Sequence, residues 1–293
     1  MKAFEIKDLQ KKYTDFQLGP LNFDLEPGMV LGYVGPNGSG KSTTLHCMVG
    51  LVKSDGGEVN IFGRQNNPNK PAWKFDIGYV GDVHVFYENW SAAKNLKFLK
   101  QFYPNWSDKL VEDLIKRFEV PLGKKAKELS SGNRVKLSLV SALAHQPKLL
   151  LLDEPTAGLD PVVRTEVLDT LFEVLENGER SIFYSTHILS DISRLADELM
   201  FLHDGKVMQR TAKEDLTDKW RKISFRLDHT NGKINGVIYH QSDGKSHQVI
   251  SKNFEETNAQ LHKLGAESIL ETRMSIDEIA VEILKGAKDV TAS

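Results

Sequence analysis

The sequence predicts an α/β fold, with a largely parallel, doubly wound sheet followed by a small α+β domain at the C-terminus. Between residues 29 and 184, short apolar runs typical of buried strands alternate with segments of helical spacing. After about residue 220, short alternating segments with Asn-Gly and Asp-Gly turns replace that pattern. We therefore expect two domains, at residues 1–219 and 220–293.

The strands of the first domain are predicted from apolar runs and from alternation of apolar with polar residues. The predicted strands are residues 4–9, 16–25, 29–34, 58–62, 148–152 and 181–184. The predicted helices are residues 41–51, 133–145 and a segment that begins at Pro161. Proline suits the first turn of a helix because its missing N–H has no intrahelical partner there. Residues 83–147 are predicted to include a helical subdomain, interrupted at Pro104.

The second domain is predicted to mix strands and helices. Residues 223–227 and 237–239 alternate as strands do, and Asn231-Gly232 supplies a turn between them. Two segments with helical spacing follow at residues 257–264 and 275–284. The second of these is amphipathic, which is typical of a helix that packs one face against a domain.

Composition excludes several classes of protein. The chain has 293 residues and a net charge of −2, so the basic excess of many nucleic-acid-binding proteins is missing. Its one cysteine, Cys47, cannot form an intramolecular disulfide or a cysteine-rich zinc site. The N-terminal residues show no signal peptide, and no apolar run approaches the ~20 residues that span a bilayer. We expect a soluble, cytoplasmic chain that does not bind nucleic acid.

A phosphate-binding loop is predicted where the third strand ends. The sequence Gly-Pro-Asn-Gly-Ser-Gly-Lys-Ser at residues 35–42 fits the pattern G-x-x-x-x-G-K-[ST] between a strand and a helix. Its backbone N–H groups and the helix N-terminus would bind phosphate oxygens, Lys41 would reach the β- and γ-phosphates, and Ser42 would ligate Mg²⁺. The predicted nucleotide contacts are Gly35, Asn37, Gly38, Ser39, Gly40, Lys41, Ser42 and Thr43.

Two carboxylates follow the apolar run at residues 149–152. An acid at the carboxyl end of a buried strand can hold the metal, and we assign that role to Asp153. Glu154 is one residue further on and would point to the opposite side of the strand. There it would accept a proton from the water that attacks the γ-phosphate.

With these motifs the chain resembles the ATP-binding-cassette ATPases over residues 1–210. Leu-Ser-Ser-Gly-Asn at residues 129–133 is similar to the signature of that family. Ala-Gly-Leu-Asp at 157–160 is similar to the loop that crosses its dimer seam, and Ser-Thr-His at 185–187 to its switch. Tyr13 is 28 residues before Lys41, like the family's adenine-stacking aromatic, with Phe16 as the fallback.

The resemblance implies a P-loop NTPase cassette with an antiparallel β subdomain and a helical subdomain. Two such cassettes sandwich two ATP molecules, each between one phosphate loop and the other subunit's signature. Ser130 and Gly132 would then contact the γ-phosphate in trans, because a helix N-terminus with small donors suits an anion. Asp160 would lie at the seam. His187 would contact the γ-phosphate and take part in catalysis with Glu154 and Lys41.

Three residues depart from the family pattern. Ser131 replaces the usual glycine of the signature and Asn133 the usual glutamine, which predicts intact binding with a shifted contact. Asp82 stands where the family places a glutamine that touches Mg²⁺ and links to the membrane partner. Two interpretations of Asp82 stay open at this point: it ligates the metal, or it is a solvated residue of the loop.

Aromatic residues cluster directly after this loop. For Val85, Phe86 and Tyr87 we expect a docking surface for a membrane subunit. For Phe98 and Phe102 we expect packing in the core of the helical subdomain.

The resulting hypothesis is an ATP-hydrolysing subunit of a bacterial transporter. It would bind ATP and Mg²⁺, dimerise on ATP, and drive a separately encoded transmembrane permease from the cytoplasmic face of the membrane. The C-terminal helix resembles that of subunits that pair with exporters, including those for antimicrobial or amphipathic peptides. A homodimer is the simpler assembly, since this chain carries every motif of the site.

Two other classes of function are alternatives: a soluble cassette ATPase acting on the ribosome or DNA, and a P-loop kinase for a small molecule. The first is disfavoured by the single cassette and the lack of a coiled-coil insertion. The second leaves the signature and His187 without a function.

Overall fold

The computed structural model describes residues 1–81, 86–176, 180–228 and 234–291, except for the side chains of residues 176 and 286–291. The chain forms two compact units, Met1–Gln209 and Arg210–Ser293. The domain boundary predicted between residues 219 and 220 stays a prediction. Within the described ranges, no helix combines the length and the apolar character needed to cross a bilayer.

The strands up to the end of the first unit form two sheets. They are β1 (Phe4–Lys12), β2 (Gln17–Leu25), β3 (Val30–Val34), β4 (Gly56–Ile61), β5 (Arg64–Gln65), β6 (Ile77–Val80), β7 (Leu149–Asp153), β8 (Ser181–Thr186), β9 (Glu198–His203) and β10 (Lys206–Ala212), the last of which continues into the second unit. An antiparallel sheet has the order β2-β1-β4-β5, and a six-stranded sheet has the order β10-β9-β3-β8-β7-β6. In the larger sheet, β3 pairs in parallel with β8 and β9, and β7 with β6 and β8.

Helices cover the larger sheet and form the helical subdomain. The helices of the first unit are α1 (Lys41–Met48), α2 (Ala92–Leu99), α3 (Asp108–Phe118), α4 (Ser131–Leu143), α5 (Pro161–Glu176) and α6 (Leu189–Ile192). Of these, α2 and α3 each pack on α4. The α/β fold with a largely parallel sheet is confirmed, and the carboxyl ends of β3, β7 and β8 lie side by side because the three strands are parallel neighbours.

The second unit is a small α+β fold. It contains α7 (Lys213–Lys219), β11 (Arg221–Arg226), β12 (Val237–Asp243), β13 (Ser246–Ser251), α8 (Phe254–Lys263), β14 (Glu267–Arg273) and α9 (Ile276–Thr291). Its antiparallel sheet has the order β12-β13-β11-β14. Ile223, Phe225, Val249 and Leu261 form its apolar centre. Because this core is small, the strands of the second unit show only short apolar alternation, which predicts strands less clearly than the continuous apolar runs of the first unit.

Sequence patterns missed elements that lack a clear period. They gave no prediction for β5, β6, β9, β10, α6, α7, β13 or β14. In β10 every second residue is exposed and the others are only half-buried, so the apolar contrast is faint. The expectation that Phe102 packs in the core is wrong: its side chain is 56% exposed and contacts Phe98 edge-on at 5.0 Å.

Candidate functional site

The glycine loop at residues 35–40 curls tightly between β3 and α1. Gly38 and Gly40 adopt φ values of 80° and 108°, a region that side chains with a Cβ rarely occupy. A Cβ on Gly40 would meet the Leu18 side chain at 2.7 Å and the Phe16 ring at 2.9 Å. The loop therefore needs glycine at Gly40 for both its backbone conformation and its close packing.

Two buried polar side chains point to an anion in this loop. Ser39 is 3% exposed, and its Oγ has no hydrogen-bond partner among the described residues. A buried hydroxyl without a partner loses free energy, so a phosphate oxygen is a fitting acceptor. Lys41 is 5% exposed, and its Nζ donates to the carbonyls of Gly35 at 2.8 Å and Pro36 at 3.2 Å. These residues fit the phosphates of a nucleotide, while Asn37 and Gly38 are exposed and Thr43 is half-buried.

The predicted metal ligands differ in how the structure places them. Asp153 is fully buried at the end of β7 and accepts a hydrogen bond from Ser185 Oγ at 2.5 Å. Ser42 is half-buried in the first turn of α1. Asp82 lies outside the described residues, so its assignment as a metal ligand stays a prediction. Among the residues that are described, no group of three or more histidine, cysteine, aspartate or glutamate side chains is arranged to hold a metal.

Glu154 joins the phosphate loop to the switch. Its Oε1 lies 3.1 Å from Lys41 Nζ, and its Oε2 accepts from His187 Nδ1 at 2.8 Å and from the His187 backbone N–H at 3.4 Å. β7 ends at Asp153, and Glu154 turns away with φ 51°. The backbone turn, rather than the predicted alternation along the strand, therefore directs this carboxylate between Lys41 and His187.

A buried carboxylate that sequence patterns missed ties the seam loop to the switch. Asp191 is 1% exposed, accepts a hydrogen bond from Thr156, and pairs with Arg164 of α5. Arg164 Nη2 also donates to Ser190 Oγ at 2.7 Å. The segments after β7 and after β8 are thus linked by a charged contact in the interior. An acid four residues after His187 was the available signal, but no periodicity singles it out.

The signature lies at the N-terminus of α4. Ser130 is exposed and caps this helix, since its Oγ accepts from the Asn133 N–H at 3.3 Å. The helix accordingly begins at Ser131, two residues before the predicted start. Gly132 is buried, and a Cβ there would meet Val163 of α5 at 3.3 Å. Small residues therefore bring the first turn of α4 close to α5, which follows the seam loop.

Asp160 caps the next helix. Its Oδ1 accepts from the backbone N–H groups of Val162 and Val163, each at 3.1 Å. The carboxylate is exposed at the start of α5. The predicted role of Asp160 at a seam between two chains stays a prediction, and the cap explains why an acid is suited to this position.

The two aromatic candidates for adenine stacking differ in exposure. Tyr13 is 49% exposed, with Lys11 Nζ 5.7 Å from its ring centroid. Phe16 packs against Leu18 and the phosphate loop and forms part of the core wall. Tyr13 is therefore the more exposed of the two rings, and Phe16 is a packing residue.

Replacing Tyr13 by Ala is expected to weaken ATP binding roughly three- to tenfold, since one aromatic stack contributes about 0.5–1.5 kcal/mol. Isothermal titration of the chain with ATP measures this effect. Tyr13→Trp is the matched control and should retain the wild-type affinity. Equal loss in Tyr13→Ala and Tyr13→Trp would contradict a stacking role.

Comparisons with known proteins agree with this geometry. The family model described as "ABC transporter" matches residues 18–157. The chain is 34% identical over 230 residues to the bacitracin transport ATP-binding protein BcrA of Bacillus licheniformis, covering 76% of this chain and 74% of the relative. It is 29% identical over 292 residues to the ABC transporter ATP-binding protein YtrB of Bacillus subtilis, covering 97% and 99%.

A solved structure agrees in fold. The ATP-binding subunit of an ABC transporter superposes with a TM-score of 0.66 at 28% identity, covering 73% of this chain and 91% of that one.

Proposed function

We propose that this chain powers a separately encoded permease through ATP-driven dimerisation. The proposal follows from its family, because the chain belongs to the ABC transporter family as an ATP-binding subunit with ATPase activity. The observation that carries this proposal is the position of Glu154 between the phosphate-loop lysine and the switch histidine. A carboxylate in that position can act on a water at the γ-phosphate.

The residues of this site divide the chemistry among them. The Lys41 ammonium stabilises negative charge on the phosphates. In this structure the ammonium is paired with the Glu154 carboxylate. Glu154 accepts the proton of the attacking water, and His187 orients the Glu154 carboxylate through the 2.8 Å hydrogen bond between them. Asp153 and Ser42 would hold Mg²⁺, which when bound neutralises charge on the phosphate oxygens.

The signature supports a site shared between two chains. Among the described residues, no hydrogen bond or ion pair joins residues 129–133 to the phosphate loop at 35–42. Ser130 and the N-terminus of α4 are exposed, so the partial positive charge of that helix end faces outward. A second copy whose γ-phosphate meets this end would complete the site. The homodimer is the simplest such assembly.

A cleft beside the helical subdomain supports docking of a permease. Phe86 lines it together with Trp73, Tyr79, Leu99 and Tyr103. Tyr87 is 53% exposed and stacks on Trp90 at 4.3 Å. Val85 lies outside the described residues. Exposed aromatic side chains beside an apolar cleft are typical of surfaces that bind a helix of another protein.

The direction of transport is proposed to be export. The support for this direction is the resemblance of the C-terminal helix to those of exporter subunits. The chain would then lie at the cytoplasmic face of the membrane, held there by its permease.

The direct test is to find whether a neighbouring gene encodes a protein with several membrane spans, and to co-express that protein with this chain. The two should co-purify in detergent, and Phe86→Asp together with Tyr87→Asp should reduce the recovered complex severalfold, since charge in an apolar contact is costly. Phe172→Asp, at a 49% exposed aromatic on α5, is the matched control. Compounds that stimulate ATP hydrolysis by the complex would identify the substrate. Recovery of the wild-type chain without any membrane protein would contradict the transport role.

A further inference from the structure

We propose that Glu88 and Arg134 form a positioning pair that sets the orientation of the signature for binding the γ-phosphate of the other subunit. This inference rests on the proposed function, because it requires that the signature acts in trans. Neither residue belongs to a motif singled out in the sequence. The pair joins two segments distant in the chain, the loop after residue 86 and the first turn of α4.

The Arg134 guanidinium donates three hydrogen bonds that connect the start of α4 to Glu88 and Leu129. Arg134 Nη1 donates to Glu88 Oε1 at 2.9 Å, and Nη2 donates to Glu88 Oε2 at 3.1 Å. The Arg134 Nε also donates to the carbonyl of Leu129 at 3.4 Å, just before the helix cap at Ser130. A bidentate contact between arginine and a carboxylate fixes orientation as well as distance. The entry of the chain into α4 is therefore fixed relative to Glu88.

The loop that carries Glu88 is itself held firmly. Asn95 of α2 is 2% exposed, accepts from the Tyr87 N–H at 2.9 Å, and donates to the carbonyls of Tyr87, Trp90 and Ser91 at 3.3, 3.4 and 3.1 Å. A single buried amide thus closes the loop on α2. Displacing this loop must consequently move Glu88 along with it.

Backbone contacts connect the same loop to the segment just before the signature. The Lys127 N–H donates to the Glu88 carbonyl at 3.1 Å, and the Ala126 N–H donates to the Trp90 carbonyl at 2.9 Å. The loop, residues 126–129 and the first turn of α4 therefore form one connected unit. Tyr87 and Trp90 in this unit lie on the exposed aromatic surface proposed to dock the permease. A permease that shifts the loop would shift the signature with it.

Exposure favours positioning over stability as the function of the pair. The Glu88 side chain is 48% exposed and the Arg134 side chain 26%. Partly exposed ion pairs contribute little to the free energy of folding, since water screens them and ordering the side chains costs entropy. What the pair supplies is a defined direction for the helix end. Losing it should affect γ-phosphate binding in trans while leaving the fold intact.

The test compares Glu88→Gln with wild type in two measurements. The first is ATP affinity at low chain concentration, which reports the phosphate loop alone. The second is the chain concentration that gives half the maximal ATPase rate, which reports the shared site. Glu88→Gln should leave the first within about twofold and raise the second roughly three- to tenfold, the effect of losing one charge-assisted contact. The melting temperature should stay near that of wild type.

Two further variants separate positioning from a general effect of charge. Glu173→Gln is the matched control, because Arg117 and Glu173 form a second bidentate pair, between α3 and α5. It should behave as wild type in both measurements. The exchange Glu88→Arg with Arg134→Glu should recover part of the lost dimerisation, since it restores an ion pair between the same two segments.

The outcomes are distinct. Glu88→Gln behaving like Glu173→Gln, or losing ATP affinity and melting temperature in parallel, would overturn the pair's role. A wild-type ATPase rate that does not depend on chain concentration would instead overturn the shared site itself, and the pair's role with it.

Discussion

Glu154→Gln is expected to lower the rate of ATP hydrolysis about 10²–10⁴-fold, the range that general-base catalysis contributes. The amide has nearly the same shape as the carboxylate, but it cannot accept the proton of the attacking water. It also removes the negative charge that now faces Lys41 Nζ at 3.1 Å. Nucleotide binding should be retained or tightened, because the ammonium is then free for the phosphates.

The same variant should accumulate as an ATP-bound dimer. Binding closes the shared site, and hydrolysis, the step that reopens it, is blocked. Size-exclusion chromatography with and without ATP measures this, alongside a turnover assay. Glu166→Gln is a suitable control, because it removes the carboxylate of another Lys–Glu pair, the 2.6 Å contact to Lys136. Hydrolysis at near the wild-type rate in Glu154→Gln would exclude the base assigned here.

Lys41→Ala is expected to weaken ATP binding roughly 10- to 100-fold, the effect of losing hydrogen bonds to a charged partner. Lys41 is 5% exposed and donates to two loop carbonyls, so it helps to shape the loop as well as to bind phosphate. Its removal also leaves the mostly buried Glu154 carboxylate with His187 as its partner. ATP titration together with thermal unfolding separates these effects.

Two comparisons sharpen that experiment. Lys136→Ala removes another largely buried lysine that pairs with a carboxylate, and it should leave ATP affinity near wild type. The double change Lys41→Ala with Glu154→Gln should regain part of the lost stability, since no unbalanced carboxylate remains. It should not regain ATP affinity. Parallel loss of affinity in Lys41→Ala and Lys136→Ala would mean that the effect is one of folding.

The phosphate loop could be predicted because its pattern and its context are both local. Glycines, Lys41 and Ser42 stand in fixed order between an apolar strand and a helix, and the structure places them there. The strands β3, β7 and β8 of this sheet could be predicted for the same reason, since buried parallel strands are continuous apolar runs such as residues 149–152. Residues 199–202 of β9 form a buried run of the same kind that was not predicted, whereas β10 is at most half-buried and α7 is short, so neither shows a clear apolar pattern.

Sequence patterns reveal local features, but they do not reveal contacts between segments that are distant in the chain. The chain by itself determined the fold class, the phosphate loop and the pair Asp153-Glu154, because each is a local pattern of residues. Only the tertiary structure decided that Glu154 turns out of β7 with φ 51° to lie between Lys41 and His187. It also decided that Arg134 faces Glu88, 46 residues away. Side-chain direction depends on backbone turns and on neighbours that folding brings together, and no periodicity along the chain records them.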